Sequence, residues 1–141
     1  MKKNSQNFIR AAAAAMLLLI FGLLFSLTAK KPAQRDEIIL STPQMREAWL
    51  NLRGWRVGVP EVTETRVPES WETAAGQRWL TLQAEQGFSP EHYAGQTASR
   101  FLYPVLNAPN EWYTAELLLC GDTLIAAEVY DASTQVMQKV R

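Results

Sequence analysis

The chain consists of one long apolar run near its start, followed by a region in which hydrophobic and polar residues alternate. Residues 11–29 carry no charged side chain. As a helix rising about 1.5 Å per residue, this run would span about 28 Å, which is close to the hydrocarbon thickness of a bilayer. We therefore expect a basic tail over residues 1–10, a transmembrane helix over 11–29, a linker over 30–40 and a globular domain over 41–141.

The first helix of the domain is predicted over residues 42–53. Ser41 or Thr42 can cap its start, and Gly54 follows its end. Pro43 suits the first turn, because the N–H that proline lacks has no helical partner there. The residues expected on the buried stripe are Met45, Ala48, Trp49 and Leu52.

The second helix is predicted over residues 71–86, after a serine cap and before Gly87. Its acidic residues and Gln83 are expected to point away from the core. The residues expected on its buried face are Trp71, Ala75, Trp79 and Leu82. A single helical turn is expected shortly afterwards, over residues 89–93.

The remaining segments have the alternation of strands. Trp55, Val57 and Val59 alternate with Arg56 and Gly58, which predicts a short half-buried strand, and a second extended piece is expected over residues 62–67. Later strands are predicted over residues 99–106, 112–120 and 123–130, with a further edge strand over 135–140. Loops this short require antiparallel pairing. The strand over 112–120 is apolar on both faces and is expected at the centre of the sheet.

These elements predict the α+β class. Helices that come first and a strand meander that follows favour two helices packed on one face of an antiparallel sheet of three to five strands, preceded by one transmembrane helix.

The distribution of charged residues supports a location at the membrane. Residues 1–35 contain six Lys or Arg and no acid, whereas all fourteen acidic residues follow, so that residues 36–141 carry a net charge of 8 − 14 = −6. The alternative to an anchor is a cleaved signal peptide. We favour the uncleaved anchor, because bulky Leu27 and Thr28 flank the expected cleavage positions. A leader of this type keeps its amino terminus inside, which predicts that the domain lies outside the cytoplasm.

The composition excludes several kinds of chemistry. An acidic domain repels the phosphates of nucleic acids, so we expect no nucleic-acid partner. One histidine and one cysteine, His92 and Cys120, cannot build a zinc site within one chain, and we expect no metal or organic cofactor. We expect His92 to be a solvated polar residue in a turn and Cys120 to be a small buried hydrophobe.

Two kinds of site remain open. Carboxylate pairs such as Glu128 with Asp131, or Glu85 with Glu91, would suit a small cofactor-free hydrolase of the cell envelope, although scattered surface acids are the simpler interpretation. Exposed aromatic residues would instead suit a binding surface. Trp71 and Trp112 each stand at the start of an element, so we name them as the candidate surface.

The chain also resembles a bacterial family of domains of unknown function, whose members are short proteins of Gram-positive bacteria with an N-terminal hydrophobic segment. The resemblance covers roughly residues 45–137. It rests on Leu52-Arg53-Gly54-Trp55, Val67-Pro68 with an aromatic residue three positions on, Leu82-Gln83, Gln86-Gly87-Phe88, Tyr93-Ala94-Gly95 and Arg100-Phe101-Leu102-Tyr103. The resemblance implies a domain architecture and a cellular location, but it identifies no catalytic or binding residue.

Taken together, these features favour a membrane-anchored, extracytoplasmic, non-enzymatic module. The expected partners are the lipid bilayer, through residues 11–29, and a protein, a peptide or a polymer of the cell envelope.

Overall fold

The computed structural model describes residues 36–140. The helices are α1 (Pro43–Asn51) and α2 (Ala74–Glu85), and a 3-10 helix covers Pro90–Tyr93. The strands are β1 (Glu61–Arg66), β2 (Thr97–Pro104), β3 (Tyr113–Cys120), β4 (Thr123–Asp131) and β5 (Val136–Gln138).

The five strands form one antiparallel sheet in the order β1-β2-β3-β4-β5. Each strand therefore pairs with its neighbour in sequence, which confirms the predicted meander and the α+β class. The central position of β3 and the edge position of β5 are confirmed as well. The two-residue connection between β3 and β4 begins with Gly121, whose φ of +57° suits a residue without a Cβ.

One face of the sheet, called the first face here, carries the main core. Its apolar side chains come from β2, β3 and β4 and are covered by α1 and by single residues from other segments. Trp49 and Leu50 are the buried residues of α1. The Arg46 guanidinium lies 4.1 Å from the centre of the Phe101 ring, and its Nε donates to the Tyr103 hydroxyl at 3.3 Å. Helix α1 is therefore held on this face by apolar packing and by the guanidinium of Arg46.

The predicted stripe of α1 is mostly wrong, because only one of its four residues is buried. Trp49 is buried as expected, but Met45 and Ala48 are exposed and Leu52 is 85% exposed, whereas Leu50 is fully buried. Leu52 is the C-cap and keeps helical backbone angles, with its N–H bonded to the Ala48 carbonyl, so the end of the helix does not explain its exposure. The rotation of the buried side toward Leu50 comes from contact with the sheet, which the residue spacing alone does not reveal.

The opposite face, called the second face, carries a smaller core of Val67, Ala98, Leu118, Ile125 and Ala126. A register shift between Leu118 and Leu119 lets both Ile125 and Ala126 contribute to it. Half-buried side chains cover this core, namely Trp71, Trp79, Tyr93 and Cys120.

Helix α2 lies along the outer edge of β4. The Ala127 N–H donates to Gln83 Oε1 at 3.0 Å, and the Ala127 carbonyl accepts from Gln86 Nε2 at 2.8 Å. Gln86 Oε1 also accepts from the Val140 N–H at 2.9 Å. Side chains of the helix thus take the place of a strand at this point, because buried backbone groups at a sheet edge need polar partners.

This position of α2 corrects two expectations. Gln83 does not point away from the core but is fully buried, since the sheet edge needs its amide. The two helices do not both cover one face: α1 buries Trp49 and Leu50 on the first face, whereas Trp79 of α2 packs on the second.

The segment predicted as a strand over residues 55–59 contributes one bridge, from Val57 to Val105. Val59 is 88% exposed, so the alternation does not extend to it. The predicted strand over 62–67 is confirmed as β1, and the helical turn near residue 90 is confirmed as the 3-10 helix.

Within residues 36–140, no helix is both long and apolar enough to cross a bilayer. The predicted tail and transmembrane helix, residues 1–29, lie outside the described residues and stay predictions. Part of the predicted linker belongs to the folded domain, because Ile39 forms a bridge with Thr123 and Leu40 is buried in the main core.

Candidate binding site

A pocket of about 260 Å³ lies on the second face of the sheet. Strands β2, β3 and β4 contribute Arg100, Glu116 and Glu128 to its lining. Trp71 and Trp79 line it from the side of α2, and residues 65–68 line it at the end of β1. Charged and aromatic side chains therefore meet in one concave site that reaches the end of the edge strand β1.

Glu128 is the buried acid of this pocket, with 7% of its surface exposed. Its Oε2 accepts hydrogen bonds from Trp79 Nε1 and, at 3.2 Å, from Gln83 Nε2. Its Oε1 has no hydrogen-bond partner in the part of the chain that the structure describes. Burial, together with the charge of Glu116, raises the pKa of Glu128 to about 7, although the Trp79 hydrogen bond and Arg100 act in the opposite direction.

Glu116 lies directly opposite Glu128 in the register of β3 and β4. Opposite residues on one face have Cβ atoms about 5 Å apart, so two carboxylates here repel each other. Arg100 relieves part of this repulsion, because its Nε and Nη2 donate to the two oxygens of Glu116 at 2.7 Å each. The same contact raises the pKa of Arg100. Glu116 is therefore neutralised by a two-point ion pair, and Glu128 is not.

The aromatic side of the pocket is a stacked pair of indoles. The rings of Trp71 and Trp79 have centroids 4.9 Å apart and planes 8° apart. Trp71 precedes α2, because the helix is capped by Thr73, whose Oγ1 accepts from the Gly76 N–H. The Trp71 carbonyl accepts from Gln77 Nε2 at 2.7 Å, and its Nε1 is buried without an acceptor. The segment before the helix is thus folded back so that the two rings meet.

The second predicted surface residue lies elsewhere. Trp112 is 54% exposed and stands just before β3, whereas Trp71 packs beside Leu118 near the other end of that strand. The five-residue separation between Tyr113 and Leu118 corresponds to about 17 Å along a strand. Of the two tryptophans, only Trp71 lines the pocket.

The pair of Glu128 with Asp131 considered from the sequence does not form. Glu128 and Asp131 lie on opposite faces of β4, since they are an odd number of residues apart. Asp131 accepts hydrogen bonds from Ser133 and Thr134 instead. Glu85 forms an ion pair with Lys139 at 2.7 Å. The facing pair that does form, Glu116 with Glu128, was not predicted.

His92 and Cys120 take no part in the pocket. His92 is exposed in the 3-10 helix. Cys120 is half-buried against the second core, and burial raises the pKa of its thiol, which makes it a weaker nucleophile. Among residues 36–140, no cluster of three or more His, Cys, Asp or Glu could hold a metal ion.

A larger cavity of about 540 Å³ lies between the ends of α1, α2 and β5. Its charged side chains already have partners: the Arg53 guanidinium lies 3.6 Å from the centre of the Trp49 ring and donates to the Trp49 carbonyl, and Lys139 pairs with Glu85. We therefore take the pocket on the second face as the candidate site.

Comparison of the chain with protein-family models, with curated proteins and with solved structures gives no match. The resemblance to a family of domains of unknown function stays a prediction.

Proposed function

We propose that this protein is a non-enzymatic binding module, anchored in the cell membrane by residues 11–29 with its domain outside the cytoplasm, and that it captures an extended peptide segment of an envelope protein. The pocket on the second face holds one side chain or the end of that segment. No nucleic acid, metal or organic cofactor takes part.

The observation that carries this proposal is the position of the pocket beside β1. This strand is one of the two edge strands of the sheet, and within residues 36–140 it pairs with β2 alone. An outermost strand presents backbone N–H and C=O groups to which an added strand can pair. Residues 65–68, at the end of β1, also line the pocket. A peptide lying along β1 would therefore bring a side chain to the rim of the pocket at residues 65–68.

An unpaired polar group of the site favours ligand binding as well. Trp71 Nε1 is buried without a hydrogen-bond partner among the described residues, and leaving a buried polar group unpaired costs about 1–3 kcal/mol. A ligand that accepts a hydrogen bond from this group recovers part of that cost.

The alternative is a small hydrolase that uses acidic residues. Such an enzyme needs two carboxyl groups that are both free to act. In this pocket Arg100 engages both oxygens of Glu116, and Glu128 Oε2 already accepts two hydrogen bonds. This arrangement favours binding over catalysis.

Peptide binding can be tested with the full chain in detergent and an array of short extended peptides. We expect binding that Trp71→Ala abolishes and Trp112→Ala preserves, because only Trp71 lines the pocket. The thermal stability of each variant is measured first. Absence of peptide binding, or an equal loss in both variants, would contradict the proposal, and cleavage of the peptides would favour the hydrolase.

A further inference from the structure

We propose that the pocket on the second face selects a primary ammonium group of the bound peptide, from a lysine side chain or a free amino terminus, with Glu128 Oε1 as its acceptor. This inference rests on the proposed peptide-binding function and names the chemistry that the pocket recognises.

The charges around the pocket are balanced except at Glu128. Arg100 neutralises Glu116 through two contacts, and Arg66 at the rim pairs with Glu69 at 3.0 Å. An ionised Glu128 therefore leaves the site with one uncompensated negative charge in a buried position. A buried charge is costly unless it is paired, so the site favours either a proton or one ligand cation.

The geometry suits an ammonium group better than a guanidinium. Glu128 is more than nine-tenths buried and offers one oxygen to the pocket, because Trp79 and Gln83 already donate to the other. A single available oxygen suits the compact ammonium, whereas a guanidinium binds a carboxylate best through both oxygens. The stacked indoles of Trp71 and Trp79 line the same pocket, and aromatic rings attract cations.

Binding of the cation and binding of a proton exclude each other at Glu128. The charged groups that face this carboxyl are Glu116 from β3 and Arg100 from β2, while α2 contributes the uncharged donors Trp79 and Gln83. Since the pKa of Glu128 is about 7, the ionised fraction rises about tenfold between about pH 6 and pH 8. The affinity for a lysine side chain, which stays protonated over this range, should rise by the same factor, whereas that for an amino terminus should rise less, because its pKa is about 8.

The test uses the full chain in detergent and matched short peptides, with affinities measured by calorimetry. One peptide is N-acetylated and contains a single lysine, a second has acetyl-lysine at that position, and a third has a free amino terminus and no lysine. We expect the lysine peptide to bind at least about tenfold more tightly than the acetyl-lysine peptide near pH 8, as loss of a charged hydrogen bond predicts. The third peptide shows whether the amino terminus can replace the side chain.

Glu128→Gln should remove both the preference for lysine and the pH dependence, whereas Glu91→Gln, an exposed control outside the pocket, should change neither. Equal affinities of the lysine and acetyl-lysine peptides for the unmodified protein would overturn the inference while leaving peptide binding intact. Failure of all three peptides to bind would instead overturn the proposed function.

Discussion

Glu116 and Glu128 face each other across neighbouring strands, yet within residues 36–140 only Glu116 is hydrogen-bonded to a cationic side chain. Arg100 reaches Glu116 from β2, on the far side of β3 from Glu128. Helix α2 reaches Glu128 with the neutral donors Trp79 and Gln83. One carboxylate is thus held as part of an ion pair, and the other is held close to the midpoint of its titration at neutral pH.

The first prediction concerns stability and pH. An ordinary glutamate has a pKa of about 4.3, and the folded domain raises that of Glu128 to about 7. Between these values the folded state holds a proton that the unfolded state has released, so stability falls as pH rises. The full loss corresponds to about 4 kcal/mol.

Urea unfolding of the wild type at about pH 5 and pH 8 should show most of this loss, and Glu128→Gln should remove it, because the amide does not ionise. Glu91→Gln should lose as much unfolding free energy between these two pH values as the wild type. An identical change in unfolding free energy with pH for the wild type and Glu128→Gln would show that Glu128 titrates normally in the folded protein.

The second prediction concerns Trp79. Trp79→Ala removes a ring that stacks on Trp71 and a donor to Glu128, and we expect a cost of about 3 kcal/mol. Trp79→Phe keeps an aromatic ring but loses the donor, so it should cost less and raise the pKa of Glu128 further. His92→Ala should cost under about 0.5 kcal/mol, because His92 is exposed. Similar costs for Trp79→Ala and His92→Ala in thermal unfolding would contradict this packing.

The third prediction concerns the edge of β4. Gln83→Leu should destabilise the domain by about 1–3 kcal/mol, since it leaves the Ala127 N–H without its acceptor. Gln44→Leu, at an exposed position of α1, is the matched control and should have little effect. Hydrogen exchange of the Ala127 amide gives a local measure. Unchanged protection of that amide in Gln83→Leu would mean that another group covers it.

The fourth prediction concerns the anchor. Full-length protein should remain in the membrane pellet after alkaline washing, because residues 11–29 are long and apolar enough to span the bilayer. A protease added to intact spheroplasts should digest the domain. A mature form that starts near Lys30 would show that the segment is a cleaved signal, and protection of the domain would place it inside.

The order of elements was predictable because turn residues and periodicity are local. Gly87 and Gly121 mark two chain reversals, and the alternation after residue 97 predicts the meander. The site was predictable only in part. Trp71 was named from its place at the start of an element, whereas Glu116 and Arg100 meet only through the pairing of β2 with β3.

Gln83 shows most clearly what could not be predicted from the sequence. A glutamine in an amphipathic helix is normally solvated, and helical spacing puts this one on the polar side. It is buried because α2 meets backbone groups at a strand edge rather than an apolar face. A single charged residue within an apolar strand, such as Glu128 among Ile125, Ala126, Ala127 and Val129, was the available signal for the pocket.

The glutamine contacts along β4 also affect how copies of the domain can associate. Three groups of contacts cover the outer side of β4: the bridge from Thr123 to Ile39, the side-chain amides of Gln83 and Gln86, and the three residues of β5. Within residues 36–140, β4 therefore has no long row of unpaired backbone groups. The longer free row lies on β1, at the other end of the sheet. Head-to-tail growth of sheets into a fibre needs two receptive edges per copy. With one such edge, association of the domain by strand pairing stops at a closed pair, so that even a high local concentration of the domain does not lead to polymerisation by this route.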